Sequence, residues 1–177
     1  MADQIHDINL RLREERQLFN SFDPAPFLER DLDDDAEQYI IDSVKEYPLK
    51  QKMRLTILLP KERRHKVSDA EIESAIKNHF NYNAKVMKKK LNELLAQGRT
   101  SLAIGILFLI FCLSVSELSA LYLTGFFSSI LSTGLMIVGW VAMWRPINIF
   151  LYEWWPINKE IAIRKKIKDM AVKVKEY

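Results

Sequence analysis

The chain predicts an α+β membrane protein: a two-helix transmembrane hairpin joined to a small cytoplasmic α/β domain built from N- and C-terminal segments. Three observations predict it. Residues 101–144 carry one charge, Glu117, which leaves uncharged runs of 16 and 27 residues on either side. All four tryptophans fall between positions 140 and 155. Short alternating apolar stretches stand near both ends of the chain, outside that run. The average composition, 28% charged and 49% hydrophobic, conceals this partition.

A spanning helix needs about 20 mostly apolar residues, so the 44-residue run accommodates two short helices and a tight loop. They are expected near Arg99 to Glu117 and Thr124 to Trp144, within a hairpin at 99–145. Lipid offers no partner to backbone polar groups, so helix is the reasonable conformation. Lys85, Lys88, Lys89, Lys90 and Arg99 precede the first span, and Arg145, Lys159, Arg164, Lys165, Lys166 and Lys168 follow the second. The loop between has no Lys or Arg. By the positive-inside rule both termini of this multi-pass protein are cytoplasmic, and a few residues around Ser119 face the other side. The N-terminal residues lack the basic, apolar and small-residue succession of a cleaved signal peptide.

The tryptophans mark the cytoplasmic interface. Trp140 and Trp144 close the second span, Arg145 lies at the headgroup level, and Pro146 is expected to stop the helix. Ile147, Phe150, Leu151 and Trp154 then recur at i, i+3, i+4 and i+7, which predicts an interfacial amphipathic helix over 146–156. Asn148 and Glu153 should face water, Trp155 adds to the aromatic belt, and Pro156 should end the helix. The expected interface set is Trp140, Trp144, Arg145, Phe150, Trp154 and Trp155.

The remaining chain divides by charge. Residues 1–47 carry 13 Asp or Glu against 5 Lys or Arg, and residues 48–177 carry 10 against 21. The basic part surrounds the spans and suits anionic lipid headgroups, while the acidic part should stand away from the bilayer or dock on the basic part. Residues 1–98 read as a cytoplasmic α/β domain with an acidic N-terminal part, and 157–177 as a basic helix and a strand. In INLRLRE, Ile8, Leu10 and Leu12 alternate with polar residues as a strand would, although Ile5, Ile8 and Leu12 also fit a helix. FNSFDPAPF is a proline-broken connector. Across residues 31–47 a helix presents Ala36, Tyr39, Ile40, Val44 and Tyr47 and stops at Pro48. KQKMRLTILLP gives the clearest strand, with Met53, Leu55, Ile57 and Leu59 on one side. Ser68 and Glu71 form a capping box ahead of Ile72, Ala75, Ile76, His79 and Phe80. A second helix through Val86 to Leu95 follows, with a break at NYN or Gly98. A lone strand is not stable, so residues 8–13 and 171–176 are expected to flank 52–59 in one three-stranded sheet.

Candidate chemistry is sparse. Asp31, Asp33 and Asp35 match the first positions of an EF-hand loop, but Ala36 and Asp42 replace its glycine and glutamate, so a helix start stabilised by its dipole is the plainer reading. His6, His65 and His79 do not cluster, and no phosphate-binding or nucleophile-elbow pattern occurs. No cofactor or metal is expected. KERRHK at 61–66 lacks the aromatic interleaving of a nucleic-acid site, so lipid headgroups or solvent are its expected surroundings and no nucleic-acid partner is expected. Cys112, the one cysteine, suits packing. Ser101 with Gly105, and Ser128, Ser129, Ser132 and Thr133, form small-residue patterns for close helix packing, within the hairpin or between subunits.

The blocks LFNSFDPAPFLERDLDDDAEQYI at 18–40 and GWVAMWRPINIFLYEWWP at 139–156 resemble those of a family of uncharacterised two-span bacterial inner-membrane proteins. The resemblance covers most of the chain. It implies a cytoplasmic-membrane location and transfers no catalytic residue. The acidic and aromatic-basic blocks are expected to meet, with Asp23, Glu29 or Asp31 docking on Arg145. The expected activity is non-enzymatic: an assembly or accessory subunit in the bilayer, forming homo-oligomers or joining another membrane protein. A homo-oligomeric channel or transport component is the alternative, followed by a lipid-active enzyme at the interface.

Overall fold

The computed structural model describes residues 5–20, 22–26, 30–61, 68–122 and 125–177. It is mixed α+β, with a small three-stranded parallel sheet and two helices long and apolar enough to cross a membrane. The chain divides into two compact units, Met1–Met87 with Lys159–Tyr177, and Lys88–Asn158.

The first unit is organised by strands β1 (His6–Arg11), β2 (Met53–Leu59) and β3 (Ala171–Glu176) in the order β1-β2-β3. The helical alternative for the first segment is therefore set aside. Ile8 pairs with Leu55 and Leu55 with Val172, so one face carries Ile8, Leu10, Met53, Leu55, Ile57, Leu59 and Val172 into the core. Helix α1 (Asp34–Lys45) connects the first two strands. The second crossover contains everything from α2 (Asp69–Tyr122) to α5 (Trp154–Asp169), so both apolar helices are inserted within one β-α-β connection. Two right-handed crossovers in a 1-2-3 order place their helices on the same side of a sheet. The core agrees, since Ile40, Ile41 and Val44 of α1, Ile72, Ile76 and Phe80 of α2, and Ile163 and Ile167 of α5 join the same cluster.

Local chemistry explains most boundaries. Asp33 caps α1 by accepting from the Asp35 N–H at 3.1 Å. The capping box forms, with Glu71 accepting from the Ser68 N–H at 2.8 Å. On α1 the buried face contains Ile41, whereas Tyr39 turns outward and its hydroxyl donates to Asn9 O at 3.1 Å, which satisfies the phenol at the β1 edge. Short structure flanks the expected connector: a 3-10 turn over Glu15–Leu18 precedes it, and Phe19 at its start forms an antiparallel bridge with Leu32.

Helix α2 is longer than expected. It runs through Asn81, Tyr82, Asn83 and Gly98 without a break and continues to Tyr122, five residues past Glu117. Ser119, expected in the far loop, is buried in this helix and its hydroxyl donates to Ser116 O at 2.8 Å. Gly98 serves packing, because a Cβ there would lie 2.9 Å from Ile149 Cγ2. Helix α3 (Phe126–Ala142) returns against α2 along small residues. A Cβ on Gly105 would stand 3.1 Å from the Ala142 carbonyl oxygen, and the Ser116 and Ser132 hydroxyls meet at 2.6 Å. Of the expected packing residues, Gly105 is buried, Ser101, Ser128 and Ser132 are half-buried, and Ser129 and Thr133 are exposed. Cys112 is buried in this unit as a free thiol.

The prolines correct the expected interfacial helix. Pro146 is the third residue of α4 (Trp144–Asn148) and Pro156 the third of α5. Neither proline ends the helical structure, which continues past Pro146 and past Pro156 to Asp169. Between α4 and α5 stands a π-helical turn, Ile149–Glu153. A proline in regular helix clashes with the carbonyl four residues back, and the wider turn before Pro156 relieves this.

Candidate functional site

The described side chains converge most densely around His79. The capped start of α1 brings acidic groups over this part of α2, and His79 stands on the same α2 face as Ile76 and Phe80. The imidazole is buried, with 4% of its side chain exposed. Its Nδ1 lies 3.0 Å from Asp31 Oδ1 and 3.3 Å from the backbone nitrogen of Leu32. On the opposite edge Nε2 lies 3.0 Å from Glu37 Oε2 and 3.0 Å from Asn83 Nδ2.

Glu37 extends the network. Its Oε1 accepts from Asn83 Nδ2 at 3.3 Å and lies 3.8 Å from Arg164. Arg164 donates to Glu160 at 2.6 Å, and Glu160 meets Lys45 at 2.8 Å. Charges thus alternate from α1 through α2 to α5 and tie three helices over one core. The hydrogen bond from His79, then the charges of His79 and Arg164, hold the Glu37 carboxyl below its ordinary pKa against the opposing effect of burial. Burial pushes the Glu160 carboxyl up, but hydrogen bonds from Lys45 and Arg164 outweigh it and the net shift is downward. Asp23 is lowered by the backbone N–H groups of Asp31 and Ala25, which it accepts at 2.7 and 2.9 Å.

This geometry constrains the chemistry. A general base needs a lone pair within reach of substrate. Both ring nitrogens of His79 are already engaged. Nδ1 stands between the Leu32 N–H and the Asp31 carboxylate, and Nε2 between the Asn83 amide and the Glu37 carboxylate, so the tautomer decides which neighbour each nitrogen holds. The two carboxylates lie on opposite edges of the imidazole and do not converge on one point, and among the described residues no group of three His, Cys, Asp or Glu side chains is placed to hold a metal ion. A cleft of about 560 Å³ borders the cluster, lined by Asp23, Asp31, His79, Tyr82 and Lys85 among others.

The residues of the expected EF-hand-like run have separate tasks: Asp31 meets His79, Asp33 caps α1, and Asp35 lies in its first turn. Of the expected docking set, Asp23 and Asp31 belong to the first unit and Arg145 to the second. Arg145 is held by Glu153, which also accepts from Asn148 Nδ2 at 2.6 Å. Asn148 and Glu153 were expected to face water; the π turn brings them to Arg145. Asp23 and Asp31 are engaged as above, and Glu29 lies outside the described residues. So do Glu62 to Lys66 of the KERRHK loop, including His65.

At the expected interface, Trp140, Trp144, Trp154 and Trp155 are exposed and Phe150 is half-buried. The Trp154 Nε1–H donates to Phe150 O at 2.9 Å, leaving the ring surface apolar. The His79 network escaped sequence reasoning because its members are 31 to 164 in the numbering. The one local signal was a histidine on an otherwise apolar helix face. Comparisons with protein-family models, with curated proteins and with solved structures find no match.

Proposed function

We propose that this is a bacterial inner-membrane protein that acts by assembly, its hairpin holding a cytoplasmic α/β unit ready to meet other subunits. The observation that carries this is the outward apolar surface of α2 and α3: Leu107, Phe111, Leu121, Phe126, Phe127, Ile137 and Val141 are all exposed. A soluble protein does not leave so continuous an apolar surface in water. In a bilayer these side chains face lipid, Trp140, Trp144, Trp154 and Trp155 lie at the interface, and Arg145 with the flanking lysines meets anionic headgroups. Both termini are then cytoplasmic, as the charge asymmetry requires. The resemblance of the 18–40 and 139–156 blocks to two-span inner-membrane proteins supports the same location.

Assembly is favoured over catalysis because His79 is closed in by its own partners, and over transport because Glu117 is the one charged residue between Ser101 and Trp144. Extraction from the native membrane in mild detergent, followed by mass measurement, tests this. A stoichiometric complex is expected, either of this chain alone or with a second membrane protein. A monodisperse single chain under every mild condition contradicts it.

A further inference from the structure

A cavity of about 570 Å³ opens in the first unit, at the end of the sheet where β2 and β3 begin. Three pieces of chain wall it: Leu49 to Arg54, leading into β2; one stripe of α5; and Met170 with Ala171 at the start of β3. Ala162, Lys166 and Asp169 supply the stripe, since i, i+4 and i+7 share one face of a helix. Buried Met53 and Met170 give the cavity an apolar side, and Ile5 and Leu49 line it while exposed.

Charge there is lopsided. Lys50, Lys52, Arg54 and Lys166 line the cavity against one carboxylate, Asp169. Asp7, outside the lining, reaches Arg54 at 3.7 Å and offsets part of one charge. Lys166 is the informative residue. It is half-buried, and its Nζ donates to the Pro48 carbonyl oxygen at 3.1 Å, an acceptor that also takes the Gln51 N–H at 2.9 Å. Among the described residues no carboxylate pairs with it, and burial pushes its ammonium below the ordinary lysine pKa. Lysine usually buries its stem and keeps the charged head in water or beside a counter-charge. A partly desolvated cation held at a cavity wall by a neutral carbonyl lacks that counter-charge, and an entering anion supplies it.

The lining also narrows the ligand. Four cations less one carboxylate leave a net of +3. This favours an anion with more than one charge, as a phosphate monoester has near neutral pH, over a single carboxylate. Lysine meets phosphate as a point charge. The volume falls in the range of small-molecule sites, and the methionine side accepts an apolar body.

We propose that this cavity binds a phosphate group attached to an apolar body, with Lys166 and Lys50 meeting the phosphate and Met53 and Met170 the apolar part. The phosphate comes from a soluble phosphorylated compound or from a phospholipid headgroup. Binding to one chain is enough for this, so the inference stands apart from assembly.

The test uses the full-length protein in neutral detergent, with phenyl phosphate as the soluble probe and titration calorimetry as the readout. Saturable binding is expected, about tenfold weaker in Lys166→Met, which keeps the stem and removes the charge, and restored in Lys166→Arg. Lys165→Met, at an exposed lysine outside the lining, should bind as the wild type does. For a headgroup the probe is phosphatidic acid in nanodiscs: amide exchange across 49–54 should slow relative to phosphatidylcholine nanodiscs in the wild type and not in Lys166→Met. If Lys166→Met alters β2 exchange without ligand, Lys50→Met takes its place with the same expectations. A response that needs the cavity lysine and not Lys165 supports the site; phenyl phosphate assigns a soluble ligand, and phosphatidic acid alone a headgroup. No response to either probe, a response unchanged by loss of the cavity lysine, or an equal loss in Lys165→Met overturns the inference.

Discussion

Replacing His79 by leucine probes the network that ties α1 and α2 together. Leucine fills similar space but deletes the polar contacts of both ring nitrogens. The Leu32 N–H, in a residue 2% exposed, loses its Nδ1 acceptor, and Glu37 loses Nε2–H while keeping Asn83 and Arg164. A hydrogen bond to a charged group contributes about 1.5 to 3 kcal/mol, and an orphaned buried donor costs about 1 to 3 kcal/mol. Contacts within one network do not add fully, so a loss of about 2 kcal/mol is expected. The assay must report on the α/β unit. Tryptophan fluorescence does not, because all four indoles lie between 140 and 155. Amide exchange of β2, whose Leu55 and Ile57 are fully buried, reports it directly. A loss of about 2 kcal/mol quickens exchange about 30-fold where opening is global. His79→Gln, which keeps a donor for Glu37, should lose about half as much free energy. Exchange changed by less than about twofold in His79→Leu, as for an ordinary surface substitution, refutes the reasoning.

Acid should weaken the same unit. A carboxyl whose folded pKa is depressed contributes stability that is full above its unfolded pKa and lost as pH falls through the folded one, so the Glu37 and Glu160 contributions should fade below about pH 4. The urea midpoint of β2 exchange should fall from pH 6 towards pH 3, and His79→Leu should flatten the part due to Glu37, since the His79 hydrogen bond is the largest cause of its shift. In the helix pair, Gly105→Leu should destabilise by about 1 to 3 kcal/mol, because even a Cβ there stands 3.1 Å from a backbone oxygen. Trp140 and Trp144 fluorescence during thermal unfolding in detergent reads this; exposed Ser129→Leu should leave the transition in place.

The sequence carried the fold through periodicity and charge. Alternation in Met53 to Leu59 and the Ser68–Glu71 box were legible because both are local. The sheet order was legible because three short strands needed one another. Proline disfavours a regular helix interior, so Pro146 and Pro156 read as stops, although helical structure continues past both. The end of α2 is not legible at Glu117, because an exposed carboxylate near a helix end does not terminate it, and the helix runs on to Tyr122. The partner of Arg145 was hidden because Glu153, eight residues on, comes within reach through a π turn that no residue pattern announces. The charge chain from Asp31 to Arg164 needs the fold itself, since the crossover from β2 to β3 passes through both apolar helices before α5 returns to the sheet.

The proposed assembly rests on two membrane crossings with the α/β unit on the cytoplasmic side, and site-specific labelling tests them. In a Cys112→Ala background, single cysteines are placed by Phe126→Cys, at the exposed start of α3, and by Tyr177→Cys, beyond β3. Spheroplasts are then treated with a membrane-impermeant maleimide. Labelling of Phe126→Cys in intact spheroplasts, and of Tyr177→Cys only after lysis, is the expected result. Labelling of both before lysis, or recovery of the protein in the soluble fraction, contradicts the account.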